Sequence, residues 1–161
     1  MTEYLVTTNS LLPFGPLPSL RLGLIGRWAI VKTKRRQTVA EHCFNVATIS
    51  EWLCGVCKWS PTATNAVIQM ALHHDDDEVW TGDVPSTAKL KTIGAVKCNA
   101  IIKLADTIEA YSFIKVNCDD SQEVKNVVMT ELWESIISQL NHTECPEHKE
   151  IKNFIKNLEI Q

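Results

Sequence analysis

The spacing of apolar residues after Thr38 is the feature that most restricts the fold of this chain. Apolar side chains recur at roughly helical intervals along the next 18 positions, as on one face of an α-helix. They are Val39, Phe44, Val46, Ile49, Leu53 and Val56. Thr38 followed by Glu41 forms a capping box, which favours a helix start at this point. The sequence therefore predicts a helix from about 39 to 58, and no alternating strand pattern competes with it.

Cap and turn residues divide the rest of the chain into further helices. Ser60 is a good N-cap and Pro61 suits the first helical position, so a second helix is expected to end near Glu78. Turn residues then precede a third helix, and further caps open two more. The predicted spans are 96–113, about 121–140 with its cap at 119–121, and 146–158 opened by Pro146. The fold class is therefore all-α.

The chain has the length of one domain, and we expect a single domain over residues 1–161. Residues 1–20 contain three prolines and one glycine in their second half, which favours an extended arm over a regular helix. We divide the domain into this arm with a substrate-binding segment (1–37), a helical core (38–114) and C-terminal helices (115–161).

Composition narrows the possible partners and the compartment. A net charge of −3 gives no overall attraction to a nucleic acid duplex or a membrane, and a small anionic ligand suits the local basic run at 32–36 better. Neither a signal peptide nor a long apolar run is evident, so we expect a cytoplasmic protein. Six cysteines in such a chain are expected to be reduced thiols.

A cluster of ionisable residues at the end of the second predicted helix points to a metal. The stretch 73–78 reads His-His-Asp-Asp-Asp-Glu after a largely apolar run, where burying such groups would be costly without a partner. Imidazole with carboxylate suits a divalent transition metal. Further ligands must come from elsewhere, and His42 and Asp106 are polar residues embedded in other apolar helices.

The order of these residues resembles the H…HD…D pattern of the HD-domain phosphohydrolases. Several stretches between residues 27 and 106 are similar to the bacterial 5′-deoxynucleotidase branch: Arg27-Trp28, Val39-Ala40-Glu41-His42, His74-Asp75, Thr81-Gly82-Asp83-Val84-Pro85 and Lys103-Leu104-Ala105-Asp106. Arg27-Trp28-Ala29-Ile30 and the short chain look most like the phage dATP triphosphohydrolases. One departure is the short interval of 22 residues between Asp83 and Asp106, which predicts a trimmed lid over the substrate.

The resemblance implies a compact HD-type helical bundle with a metal site between helices. Its metal is Zn, Co or Mn, with Mg possible on a triphosphate substrate. The implied ligands are His42, His74, Asp75 and Asp106. Glu78 lies four residues after His74, so a continuous helix would put both on one face, and Asp83 follows in the next loop. These two carboxylates are the implied general base and general acid, with the assignment between them left open.

The same resemblance implies a deoxynucleotide as substrate. Arg27 and the more distant Lys89 and Lys103 would hold phosphates, and Trp28 would stack on the base or wall off the sugar. Ile30 would press on the purine edge and exclude an extra amino group. The expected reaction converts dATP and water to deoxyadenosine and triphosphate, depleting dATP in a phage-infected cell. The alternatives are a 5′-deoxynucleotidase acting on dNMPs and a non-catalytic nucleotide-binding regulator. We also expect a homo-oligomer, a dimer or a hexamer, joined through 119–161.

Other polar clusters in the chain have simpler interpretations. Asp76 and Asp77 could bind a second ion, but a solvated acidic helix end is the favoured interpretation. Cys54 and Cys57 match half of a zinc motif but fall inside a predicted helix, which favours core packing. His73 is interpreted as a structural neighbour of the ligand pair.

Overall fold

Helices account for the regular structure in the part of the chain that can be described, as the apolar spacing predicts. The computed structural model describes residues 19–29, 31–83, 96–119, 123–142 and 148–157. Its helices are a 3₁₀ helix at Ser19–Leu24 and six α-helices: α1 Val39–Val56, α2 Pro61–Leu72, α3 Glu78–Thr81, α4 Val96–Asn117, α5 Glu123–His142 and α6 His148–Asn157. The all-α prediction is confirmed. The predicted extended arm lies outside the described residues except for 19 and 20, which belong to the 3₁₀ helix.

The starts of α1 and α2 follow from their N-cap residues. The Thr38 hydroxyl accepts a hydrogen bond from the Glu41 backbone N–H, and the Ser60 hydroxyl accepts one from Ala63, so each satisfies a donor that the first helical turn leaves free. Asp120, Ser121 and Pro146, which were expected to cap or open later helices, lie outside the described residues.

The predicted end of the second helix near Glu78 is wrong. Helix α2 ends at Leu72, residues 73–77 form turns, and Glu78 begins the separate short helix α3. The helix dipole gives the physical reason, since acids are unfavourable in the last turn of a helix and favourable in the first. The break moves Asp77 to the N-cap of α3 and Glu78 into its first turn.

The main core lies where α1 packs against α2 and α4, and α4 packs against α5. Its fully buried members include Leu53 from α1, Val67 from α2, Leu104 and Ile108 from α4, and Leu140 from α5. Because α1 and α4 are in direct contact, polar side chains on their facing surfaces meet close to the core.

Residues 25–29 and 31–38 are fixed to the helices by backbone hydrogen bonds. Arg27 N–H donates to the Gln37 carbonyl over 2.9 Å, and Val39 N–H donates to the Ile25 carbonyl over 3.0 Å. Lys34 N–H donates to the Asn117 carbonyl at the end of α4 over 2.6 Å. The segment therefore forms a loop closed at the start of α1 and anchored to α4.

The cysteines have different environments. Cys43, Cys54 and Cys118 are buried and form no disulfide, whereas Cys57 is disulfide-bonded. The expectation of reduced thiols is therefore wrong for Cys57. Cys54 belongs to the main core, in line with its interpretation as a packing residue. No helix among the described residues is long and apolar enough to cross a membrane.

Candidate metal centre

His42 lies at the centre of the candidate site. It is in the first turns of α1 and only 1% exposed. Its Nδ1 lies 2.7 Å from Glu109 Oε2 and also contacts Arg27 Nη1. Since only a protonated Nδ1 can bond to the carboxylate, the neutral ring has its lone pair at Nε2. Nε2 lies 3.2 Å from Asp106 Oδ1 and 3.6 Å from Asp75 Oδ2. The ring is therefore held with one nitrogen toward a cluster of carboxylates.

His74 presents its Nε2 to the same cluster. Its Nδ1–H donates to the Ala71 carbonyl over 2.7 Å, so the turn after α2 fixes both the tautomer and the orientation of the ring. Nε2 is buried, makes no hydrogen bond within the described part of the chain and lies 3.3 Å from Asp75 Oδ2. A buried imidazole nitrogen with a free lone pair beside carboxylates has the environment of a metal ligand.

Three chain segments bring the predicted ligands together. His42 comes from α1, His74 and Asp75 from the turn after α2, and Asp106 from α4. Ligand atoms of His42, His74 and Asp106 all lie within 4.8 Å of one another, so one ion can contact all three. Asp75 is only 3% exposed and reaches both imidazoles. The residues present thus fit a divalent metal that accepts nitrogen and oxygen ligands.

The two histidines of the cluster have pKa shifts of opposite direction. Without a metal, burial would lower the pKa of His42, but hydrogen bonds that the protonated ring donates to Asp106 and Glu109 outweigh it and raise the pKa above its usual value. Burial dominates at His74 and lowers its pKa, which keeps that ring neutral. Burial opposes ionisation of Asp106, yet its hydrogen bond with His42 prevails and lowers its pKa to about 2. The cluster therefore offers one neutral imidazole and an ionised carboxylate.

Cys43 is a neighbour of the cluster that the sequence did not mark. Its sulfur lies within 4.8 Å of ligand atoms of His74 and Asp75. Burial, followed by the negative charge of Asp75, raises the pKa of its thiol to about 12, so it remains protonated at neutral pH. Asp106 shares a candidate ligand group with both imidazoles, whereas Cys43 shares one with His74 and Asp75 only.

Glu109 is the most informative residue that sequence reasoning missed. It is 3% exposed and accepts hydrogen bonds from His42, Arg27, Asn45 and Gln37. Burial would raise its pKa, but the hydrogen bond with His42 and the charge of that ring, together with Asn45 and the charge of Arg27, lower the pKa below its usual value. Its position three residues after Asp106 in an apolar helix is the signal that could have found it, because that spacing puts both acids on one face.

The two predicted proton-transfer residues are both near this region. Glu78 begins α3 and does not continue α2, so its predicted place on one continuous helix with His74 is wrong. It is only 1% exposed, which is unusual for an acid. Asp83 Oδ1 lies 3.5 Å from Arg27 Nε. Arg27 thus connects Asp83 on one side with Glu109 on the other, at 3.2 Å.

The predicted substrate residues are only partly described. Trp28 is half-buried, with its ring parallel to Phe113 at a centroid distance of 6.0 Å and Arg27 Cζ 5.2 Å from its centroid. Lys103 is exposed on α4, three residues before Asp106. Ile30 and Lys89 lie outside the described residues.

Comparisons with known proteins agree with this arrangement. Residues 19–95 match the family model described as 5′-deoxynucleotidase YfbR-like. A dATP triphosphohydrolase of Cyanophage S-2L is 32% identical over 121 residues, which make up 61% of this chain and 68% of the relative. The chain belongs to the YfbR-like HD phosphohydrolases.

Two further comparisons are with a curated relative and with a solved structure. A 5′-deoxynucleotidase of Erwinia tasmaniensis is 37% identical over 73 residues, 43% of this chain and 36% of the relative. The solved structure of the Cyanophage S-2L HD phosphohydrolase, bound to dA and one catalytic Zn²⁺ ion, has a TM-score of 0.76 at 23% identity. That match covers 88% of this chain and 96% of the other and shows that the two share a fold.

Proposed function

We propose that this HD phosphohydrolase cleaves dATP to deoxyadenosine and triphosphate at a single divalent metal ion. The observation that carries the proposal is the convergence of His42, His74 and Asp106 from three chain segments, with Arg27 and Trp28 on the adjoining loop. The 32% identity over 121 residues with the Cyanophage S-2L triphosphohydrolase supports this choice of substrate. The division of the chain into arm, core and C-terminal helices, and a homo-oligomeric state, remain part of this proposal.

The proposed ligands are His42 Nε2, His74 Nε2 and carboxylate oxygens of Asp75 and Asp106, which suit Zn, Co or Mn. Such an ion supplies Lewis-acid activation of water and phosphate. The chain supplies the orientation of its imidazoles through the bonds to Glu109 and Ala71, described above.

The proposed chemistry is attack of water on the α-phosphorus, with cleavage of its bond to the 5′ oxygen. Water loses one proton, and the departing deoxyadenosine oxygen gains one. Glu78 and Asp83 are the proposed proton acceptor and donor, in an order that remains open. Arg27, 3.5 Å from Asp83, would keep that carboxylate beside the phosphate that its guanidinium binds.

Ile30 is the proposed determinant of base choice, because an apolar wall against the purine edge disfavours an added amino group. Ile30→Ala is therefore expected to raise the activity on dGTP relative to dATP. The measurement is the ratio of kcat/KM for the two nucleotides, and an unchanged ratio would contradict this role.

A 5′-deoxynucleotidase acting on dNMPs is the second candidate, favoured by the family-model match over residues 19–95. The purified protein would be incubated with each dNTP and dNMP and with Zn, Co, Mn or Mg, and the products separated by anion-exchange chromatography. Deoxyadenosine with triphosphate from dATP alone supports the proposal. Orthophosphate from monophosphates supports the second candidate, and no product with any metal would indicate a nucleotide-binding regulator.

A further inference from the structure

Glu109 is a buried carboxylate that bonds both to the candidate metal ligand His42 and to Arg27 of the proposed substrate-binding segment. Its Oε2 accepts from His42 Nδ1–H over 2.7 Å and from Arg27 over 3.2 Å. Its Oε1 accepts from Asn45 Nδ2 over 3.1 Å and from Gln37 Nε2. Both oxygens are thus fully engaged, and the side chain has no freedom to shift without breaking several bonds at once.

The bond to His42 sets the direction of that ring. A neutral imidazole that donates through Nδ1 presents its lone pair at Nε2, and a carboxylate partner fixes both this tautomer and the ring plane. Nε2 then faces Asp75 and Asp106. Glu109 therefore acts on the cluster through its bond to His42.

Gln37 extends this arrangement toward the substrate segment. It is completely buried, and both ends of its amide are used. Nε2 donates to Glu109, while Oε1 accepts from Trp28 Nε1–H over 2.8 Å and from Arg27 over 3.4 Å. Gln37 immediately precedes Thr38, the N-cap of α1, so its backbone is fixed to the helix that carries His42.

Trp28 needs such a partner because its backbone is held in an unusual state. Its φ is 66°, in the left-handed region that non-glycine residues seldom occupy. Bulky residues remain there only where surrounding contacts over-determine the conformation. Those contacts include the bond to Gln37, the parallel stacking on Phe113 and the bond from Val31 N–H to the Trp28 carbonyl.

We propose that Glu109 and Gln37 are a positioning pair that ties the Arg27–Trp28 segment to His42, so that one buried carboxylate orients both the metal ligand and the nucleotide-binding residues. The part of this inference that concerns the nucleotide rests on the proposed function. The part that concerns the metal ligand is argued from the contacts of His42 alone.

The metal side is tested by titrating Co²⁺ into the metal-free protein and following the visible absorption of the bound ion. Glu109→Gln is expected to weaken Co²⁺ binding about 10- to 100-fold, as for other partners of metal-bound histidines. Glu51→Gln removes the same charge from an exposed position of α1 and should bind Co²⁺ as the wild type does. Co²⁺ affinity of folded Glu109→Gln within twofold of the wild type would overturn the inference, whether or not any nucleotide is hydrolysed.

The substrate side is tested with Gln37→Ala, which leaves the bond between Glu109 and His42 in place. KM for dATP, or for dAMP if the monophosphate is the substrate, should rise about tenfold, with kcat and Co²⁺ affinity within twofold of the wild type. Gln139→Ala removes a half-buried glutamine of α5 that bonds to Thr107 and Ser135, and should change none of the three values. A Gln37→Ala enzyme with unchanged KM would overturn the pairing, even if Glu109→Gln failed to fold.

Discussion

Replacing either of two adjacent histidines gives a matched test of the metal centre. His74 has a buried Nε2 beside Asp75, whereas the side chain of His73 is 57% exposed and bonds to Asp76 at 2.9 Å. The two variants, His74→Ala and His73→Ala, remove the same side chain one position apart. The two variants have the same amino-acid composition and differ only in whether the imidazole that is lost faces the cluster.

The expected size of the effect follows from linkage between binding and folding. A metal present at 100 times its dissociation constant stabilises the folded state by about 2.7 kcal/mol. For a domain of this size, that corresponds to a rise in Tm of about 5 to 10 °C. If loss of His74 weakens binding at least 100-fold, the same metal concentration gives only about 0.4 kcal/mol, or a rise of about 1 °C. His73→Ala should keep the full rise.

The assay is differential scanning calorimetry of the three proteins after chelator treatment, with and without added Zn²⁺ or Co²⁺. Each variant is compared with its own metal-free form, so that any change in basal stability cancels. A full Tm rise in His74→Ala, or a lost rise in His73→Ala, would refute the assignment of His74 as the ligand.

Three other outcomes are expected. Glu78→Gln and Asp83→Asn should each lower kcat by about 10²- to 10⁴-fold while keeping the metal-induced rise in Tm, because they are proposed to move protons and not to bind the ion; loss of that rise would point to a ligand role. Leu104→Ala, in the fully buried core, should lower the free energy of unfolding by about 2 to 5 kcal/mol in urea titrations, against less than about 0.5 for Glu131→Ala on the exposed side of α5. In metal-free protein, the pKa of Asp106 is lowered from 3.8 to about 2, so its contribution of roughly 2 kcal/mol is present above pH 3.8 and lost as the pH falls toward 2; an Asp106→Asn variant with the same acid sensitivity would contradict it.

Local signals in the chain were sufficient to predict where α1 and α2 begin and which residue types form the candidate site. Thr38 and Ser60 begin helices because their hydroxyls accept from the first-turn backbone, an effect that depends only on neighbouring residues. The predicted end near Glu78 failed because the same apolar run admits two interpretations, one long helix or a helix, a turn and a short helix. The placement of the acids relative to the helix dipole distinguishes them.

The sequence by itself determined that this is an all-helical chain with His74 and Asp75 side by side, since covalent adjacency and helical periodicity are local properties. Only the tertiary structure decided that Asp106 reaches His42 from 64 positions away, and that Glu109 holds that histidine from behind. These contacts arise because α1 packs on α4, and the pairing of two helix faces depends on the burial of the whole core. The tertiary structure also decided that His74, and not His73, faces inward. The turn after Leu72 directs the His74 ring to the cluster and the His73 ring to solvent.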